Sequence, residues 1–258
     1  MSSLHLLCAG AAQGLVKALQ LRFHEATGAS LEARFGAVGA MKERLLAGEP
    51  CDLLIVTAGM IDGLVAEGRL RGETRAALGR VRTGIAVQRG APHPDLSTPE
   101  ALKAALQAAS AIYFPDAERS TAGIHFARVM QELGIHEHPE AGRGRPPPAG
   151  IEESGKATFP QEALQPRFRT YPSGAIAMRE MAAAPGPGLI GCTQVTEINY
   201  TEGVELVGVL PKRFELATVY SAAATAGSAE RVALAQNFIG LLTGADTLVL
   251  RTAGGFEA

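Results

Sequence analysis

The hydrophobic pattern of this chain switches repeatedly between short apolar runs and helical stripes. Leu4–Ala9 is a short, mostly apolar run that reads as a strand. From there Ala12, Leu15, Val16, Leu19 and Phe23 fall on one helical face, and Gly28 stands where a left-handed cap would end the helix. Leu31, Ala33 and Phe35 alternate with Ser30, Glu32 and Arg34, which predicts a strand with one wetter face. Met41, Leu45 and Leu46 suit a short helix opened near Gly39 and closed by Gly48. Leu53–Val56 is continuously apolar, as in a parallel strand buried on both faces. Met60, Ile61, Leu64 and Val65 form the next helical stripe, ended by Gly68.

The same rhythm continues downstream. Gly84–Gln88 reads as a strand, and Ser97-Thr98-Pro99-Glu100 as a helix start with hydroxyl cap, early Pro and first-turn acid. Ala111–Phe114 is a strand, and Thr121–Leu133 a helix expected to turn Ile124, Ala127, Met130 and Leu133 inward before Gly134. From His136 to Pro172 the rhythm breaks, and a Pro/Gly-rich insertion is expected over about 137–169. Order is expected to return at Ser173, with a helix through Met178 and Met181. Leu189–Thr193, Val204–Leu210 and Leu216–Ala224 read as strands, and Ala229–Leu242 and Ala245–Thr252 as helices. Strands alternating with helices of this length imply right-handed β-α-β units, so the fold class is α/β.

Composition narrows the function classes. With 24 Lys+Arg against 26 Asp+Glu, the chain carries no electrostatic footprint for nucleic acid. No apolar run reaches the ~18 residues of a membrane span, so no direct membrane insertion is expected. Cys8, Cys51 and Cys192 are far apart and odd in number, and read as small buried hydrophobes. The apolar run after Met1-Ser2-Ser3 is too short for a secretory leader. The expectation is a periplasmic protein if a leader has been removed, and a cytoplasmic one if Met1 is the native start.

Common catalytic signatures are missing. There is no Gly-x-Ser-x-Gly elbow, no phosphate loop and no His-Glu-x-x-His. The histidines, including His136 and His138, do not assemble into ligand spacing, so neither a metal nor a cofactor is expected. What the chain does carry is a set of small-residue turns opening helices: Gly10-Ala11-Ala12, Ala37-Val38-Gly39, Arg119-Ser120-Thr121-Ala122 and Ser173-Gly174. Each would present backbone N–H groups at the positive end of a helix dipole, which suits an anion. In open α/β sheets such turns gather at the carboxyl ends of the strands, where ligands bind.

The order of these features resembles the type 2 periplasmic solute-binding proteins, in the molybdate-binding branch. The resemblance rests on Leu7-Cys8-Ala9-Gly10-Ala11, Phe35-Gly36-Ala37-Val38-Gly39-Ala40 and Gly48-Glu49-Pro50-Cys51-Asp52-Leu53. It continues in Tyr113-Phe114-Pro115-Asp116, Leu189-Ile190-Gly191-Cys192 and Gly254-Gly255-Phe256-Glu257. It implies two Rossmann-like lobes with a ligand cleft between them, joined by crossing strands at Arg82–Gln88 and Leu216–Ser221. Residues 1–83 with 216–258 would form one lobe and 84–215 the other. The ligand would be a small anion, with the membrane subunits of an ABC transporter as further partners.

The residue-by-residue transfer departs from molybdate binders. Ala11 and the Ala37-Val38-Gly39 turn stand where those proteins place Ser, and Gln194 where they place Tyr. Gln194 both donates and accepts, and Arg119 could form a bidentate pair with a carboxylate. The expected ligand set is therefore Gly10, Ala11, Ala12, Val38, Gly39, Arg119, Ser120, Thr121, Ala122, Ser173, Gly174 and Gln194, around an organic acid. A subset of the branch resembles aconitate isomerase, whose proton shift needs a base; Glu197 and His125 are the candidates. A cytoplasmic ligand-sensing domain, as in the effector domains of LysR-type regulators, is a third reading.

Overall fold

The computed structural model describes residues 3–135 and 167–257. His136, His138 and almost all of the expected insertion lie outside the described residues.

In the first part of the chain β1 (Ser3–Ala9), β2 (Ser30–Gly36) and β3 (Leu53–Thr57) alternate with α1 (Gln13–Thr27), α2 (Val38–Leu46) and α3 (Ala58–Ala66). The strands run parallel in the order β2-β1-β3. Gly28, at φ 70°, ends α1 in the left-handed conformation that its position predicts. Next come β4 (Ala76–Gln88), α4 (Pro99–Ala108), β5 (Ala111–Pro115), α5 (Thr121–Glu132), β6 (Phe168–Tyr171), α6 (Gly174–Ala183) and β7 (Leu189–Gln194). The chain continues through α7 (Val195–Tyr200), β8 (Val204–Val209), β9 (Ala217–Ala224), α8 (Ala229–Thr243) and α9 (Leu248–Gly254). Here β5 lies parallel to both β6 and β7.

One sheet path, β2-β1-β3-β9-β4-β7-β5-β6, connects the two halves, with β8 branching from β4. Each half has its own core. Leu7, Leu19, Phe23, Ile55 and Phe238 belong to the first, where the Phe23 and Phe238 rings meet edge to face at 5.0 Å. In the second half Leu106, Phe114 and Phe126 pack on one face of the sheet, and Tyr113, Met178 and Met181 on the other. Burying each such side chain is worth about 1.5–3 kcal/mol.

Several elements differ from expectation. β4 begins at Ala76 rather than Gly84, because Gly79, at φ 139°, interrupts the apolar alternation with a register shift against β9. β6 lies in the stretch expected to be irregular, and parallel pairing with β5 holds it despite weak hydrophobic patterning. α7 is too short to show a helical period. The inward face of α5 carries Ala122, Phe126, Val129 and Met130, whereas Ile124 and Ala127 are only partly buried.

Asp52, just before β3, ties the first half together. Its carboxylate accepts hydrogen bonds from Arg231 Nε at 2.6 Å and from the His5 backbone N–H at 2.7 Å. Its own N–H donates to the His5 carbonyl, and its carbonyl accepts from the Thr225 N–H. One residue thereby links β1, the end of β9 and the start of α8. Burial pushes this carboxyl up, but Arg231 and the His5 N–H outweigh that and hold it below the usual aspartate range. Asp52→Asn is expected to lower unfolding stability by about 1.5–3 kcal/mol, the range for hydrogen bonds to charged groups, in urea titrations near neutral pH. A group held below its ordinary range stabilises the fold above that range, so the difference from wild type should close as the pH falls through it.

Candidate functional site

The carboxyl ends of β1, β2, β5, β6 and β7 all point toward one place, and a helix start follows each of them. A narrow cavity of about 10 Å³, room for about one water molecule, lies there. Gly10, Ala11 and Val38 line it from the first half, and Ser120, Thr121, Ser173, Gly174 and Gln194 from the second. Glu197 and Tyr220 line it as well. The halves touch beside it: the Gly39 N–H donates to the Arg119 carbonyl at 3.0 Å.

Backbone donors at the helix starts are not equally free. At α5 the Ser120 hydroxyl accepts from the Gly123 N–H, and at α6 Ser173 accepts from Ile176 at 3.3 Å. Both serines therefore cap their helices as acceptors, and each keeps its own O–H to donate into the cavity. Gly123 allows the close turn at α5, since a Cβ there would collide with the Pro115 and Asp116 carbonyls. The Gly39 N–H, by contrast, is taken up by Arg119.

Glu197 fills the start of α6. Its carboxylate accepts from the Ala175 N–H at 3.2 Å and from the Thr193 hydroxyl at 2.5 Å. The Gly174 and Gln194 N–H groups add to the same shell. Gly10 and Gly174 make room for it, because a Cβ on either would collide with a Glu197 oxygen. Burial raises the affinity of this carboxyl for a proton and outweighs the hydrogen bonds that oppose it, so Glu197 sits above the usual glutamate range.

Gln194 presents the opposite situation. Its side chain is 2% exposed, and neither its Nε2 nor its Oε1 has a partner among the described residues. Thr83, paired with it across β4 and β7, has an unpartnered hydroxyl as well. Buried amides are normally satisfied, so an unpaired amide at a cavity wall calls for a hydrogen-bonding partner in the cavity, a water or a ligand. Tyr220, on β9, brings a phenol to the same wall, and burial together with the Glu197 charge pushes it up.

The remaining candidates lie elsewhere. The Arg119 side chain is 54% exposed, 3.5 Å from Glu43 on α2, and lines an outer depression instead of the cavity. The His125 ring is bonded to the Phe214 carbonyl at 2.7 Å and does not line the cavity. Ala12, Gly39 and Ala122 support the turns without forming its wall. Sequence reasoning missed Tyr220, although it stands just before the run Ser221-Ala222-Ala223-Ala224, where a bulky polar side chain is out of keeping with its neighbours. It also missed the hydrogen bonds of Glu197 to α6, which join residues far apart in the chain.

Comparison with known proteins agrees with this architecture. A family model described as bacterial extracellular solute-binding protein matches residues 4–257. Aconitate isomerase from a Pseudomonas species is 26% identical over 235 residues, 86% of this chain and 76% of that protein. The periplasmic molybdate-binding protein of Azotobacter vinelandii shares the fold with a TM-score of 0.69 and 16% identity, over 99% of both chains. The sulfate-binding protein of Mycobacterium tuberculosis gives a TM-score of 0.67 and 15% identity, over 99% of this chain and 86% of that one. The two-lobe α/β fold, the cleft between the lobes and the match along the described sequence lead to one conclusion: the chain belongs to the bacterial extracellular solute-binding protein family.

Proposed function

We propose that this protein captures a small organic anion, a di- or tricarboxylate, in the cavity between its lobes. Residues 1–83 with 216–258 form one lobe and 84–215 the other. The ligand's carboxylates face the helix starts at Gly10-Ala11, Val38 and Thr121, and accept hydrogen bonds from the hydroxyls of Ser120 and Ser173. Delivery to the membrane subunits of an ABC transporter goes with this reading.

Gln194 carries the choice of a carboxylic ligand over a bare oxyanion. Both atoms of its amide are unpartnered, so the site offers an acceptor as well as a donor. A fully deprotonated oxyanion has no proton to give to Oε1, whereas a hydroxy acid gives one from its hydroxyl and a carboxylic ligand gives one when it binds with a carboxyl protonated. The serines that molybdate binders would place in the first two turns are replaced by Ala11 and Ala37-Val38-Gly39.

An isomerase of the aconitate type is the second reading. Glu197 favours it, as a buried carboxyl in the wall of the cavity and a candidate to move a proton. The Pseudomonas relative points the same way.

Thermal shift against molybdate, tungstate, sulfate and a panel of di- and tricarboxylates tests the first reading. A carboxylate at 100 times its Kd should add about 2.7 kcal/mol of stability; stabilisation by molybdate alone would overturn the choice of ligand. Gln194→Ala should weaken carboxylate binding by about tenfold or more, as expected for losing a hydrogen bond to a charged group, and calorimetry reads this directly. Proton NMR of trans-aconitate with the protein added distinguishes the second reading. A receptor leaves the spectrum unchanged while it binds, and an isomerase produces the cis isomer.

A further inference from the structure

Glu197 places an acidic group in the wall of a cavity read above as an anion site, and the inference drawn from it rests on that reading. We propose that Glu197 is the specificity-determining residue of the cleft: it admits anions that arrive with a proton, on the ligand or on Glu197 itself, and rejects permanently charged tetrahedral dianions.

Geometry carries the argument. Glu197 takes up the first N–H groups of α6, which in a free helix start would face the ligand. A dianion entering the cavity therefore finds one helix start already occupied, and by a like charge. Gln194 Oε1 is a second acceptor in the same wall without a donor. Gln194 Oε1 is answered by a ligand O–H, and the Glu197 carboxyl, whose oxygens already hold their donors, meets a second anion only with an added proton.

No cation relieves Glu197 among the described residues. Its partners are the Thr193 hydroxyl and backbone N–H groups, and Tyr220 on β9 is its titratable neighbour. Charged groups on the elements packed around α7 are engaged or exposed. On β4, Arg80 and Arg82 pair with Glu257, and on β8 Glu205 pairs with His93. On α6, Arg179 and Glu180 are exposed, as is Lys17 on α1, which lies over the Tyr200 ring. On α9, Arg251 donates to the Leu242 carbonyl. With nothing positive at hand, a second anion beside Glu197 can be neutralised only by a proton. Burial has already moved the carboxyl in that direction.

Binding should therefore take up a proton and weaken as the pH rises. Calorimetry on the full chain, with trans-aconitate, tricarballylate, sulfate and molybdate in buffers of different ionisation enthalpy, measures this at mildly acidic and mildly alkaline pH. The expected result is proton uptake on tricarboxylate binding, with affinity falling up to about tenfold per pH unit once the carboxyl ionises. E197Q should bind with no such uptake and a flatter pH profile. E197A, which frees the α6 N–H groups, should gain sulfate or molybdate binding that the wild type lacks. Tricarboxylate binding without proton uptake, or wild-type sulfate binding as tight as that of E197A, would overturn the role given to Glu197. Failure of every anion to bind the wild type would instead overturn the anion-cleft reading beneath it. Should the variants not fold, the wild-type proton count decides by itself.

Discussion

A carboxyl group without a counter-cation is costly to bury, and this protein holds one at the meeting point of its lobes. Glu197 is stabilised there by hydrogen bonds alone, from the Thr193 hydroxyl and from backbone N–H groups of α6 and of Gln194 at the end of β7. Those donors are aimed only if α6 starts where it does, if β7 ends at Gln194, and if position 10 has no Cβ. The short helix α7, which ordinary propensity would leave marginal, is thereby fastened at its centre to β7 and α6. Gln194, at the start of α7, is carried to the wall of the cavity by the same arrangement.

The fold prepares this meeting point from both sides. Parallel strands in each half send their carboxyl ends toward it, and the antiparallel pair β4 and β9 passes between the halves. Each half has an apolar core, and Val195 at the start of α7 packs into that of the first half. On one side of the cavity the halves meet through a Gly39 N–H on an Arg119 carbonyl and an exposed Arg119–Glu43 pair, and on the other α7 packs against α1 and α9, where Asn199 donates to the Gly254 carbonyl. The exposed Arg119–Glu43 pair is weak and screened by solvent.

Much of this was legible along the chain. The apolar runs and helical stripes placed β1, α1, β2, β3 and α4 closely, because their cores are local in pattern: Leu53–Val56 is buried throughout, and α1 ends at Gly28. The turns at Gly10, Val38, Ser120 and Ser173 could be seen as helix starts, since small residues and hydroxyls cap by short-range bonds. β6 and α7 were not visible, being too short to show a period, and Gly79 hid the first half of β4. Arg119 and His125 carried the chemistry expected of a site, but their side chains turn to Glu43 and Phe214.

By itself the sequence determined the α/β class, most of the elements and the supply of anion-facing turns, because hydrophobic period and capping act over a few residues. Only the tertiary structure decided which donors remain free and which groups share the cavity. Gly39 is bonded to Arg119, the start of α6 is occupied by Glu197, Gln194 is left unpartnered, and Tyr220 arrives from a crossing strand. Each of these depends on atoms brought together from distant parts of the chain. Hydrogen bonding and desolvation act through that proximity in space, which local patterning does not encode.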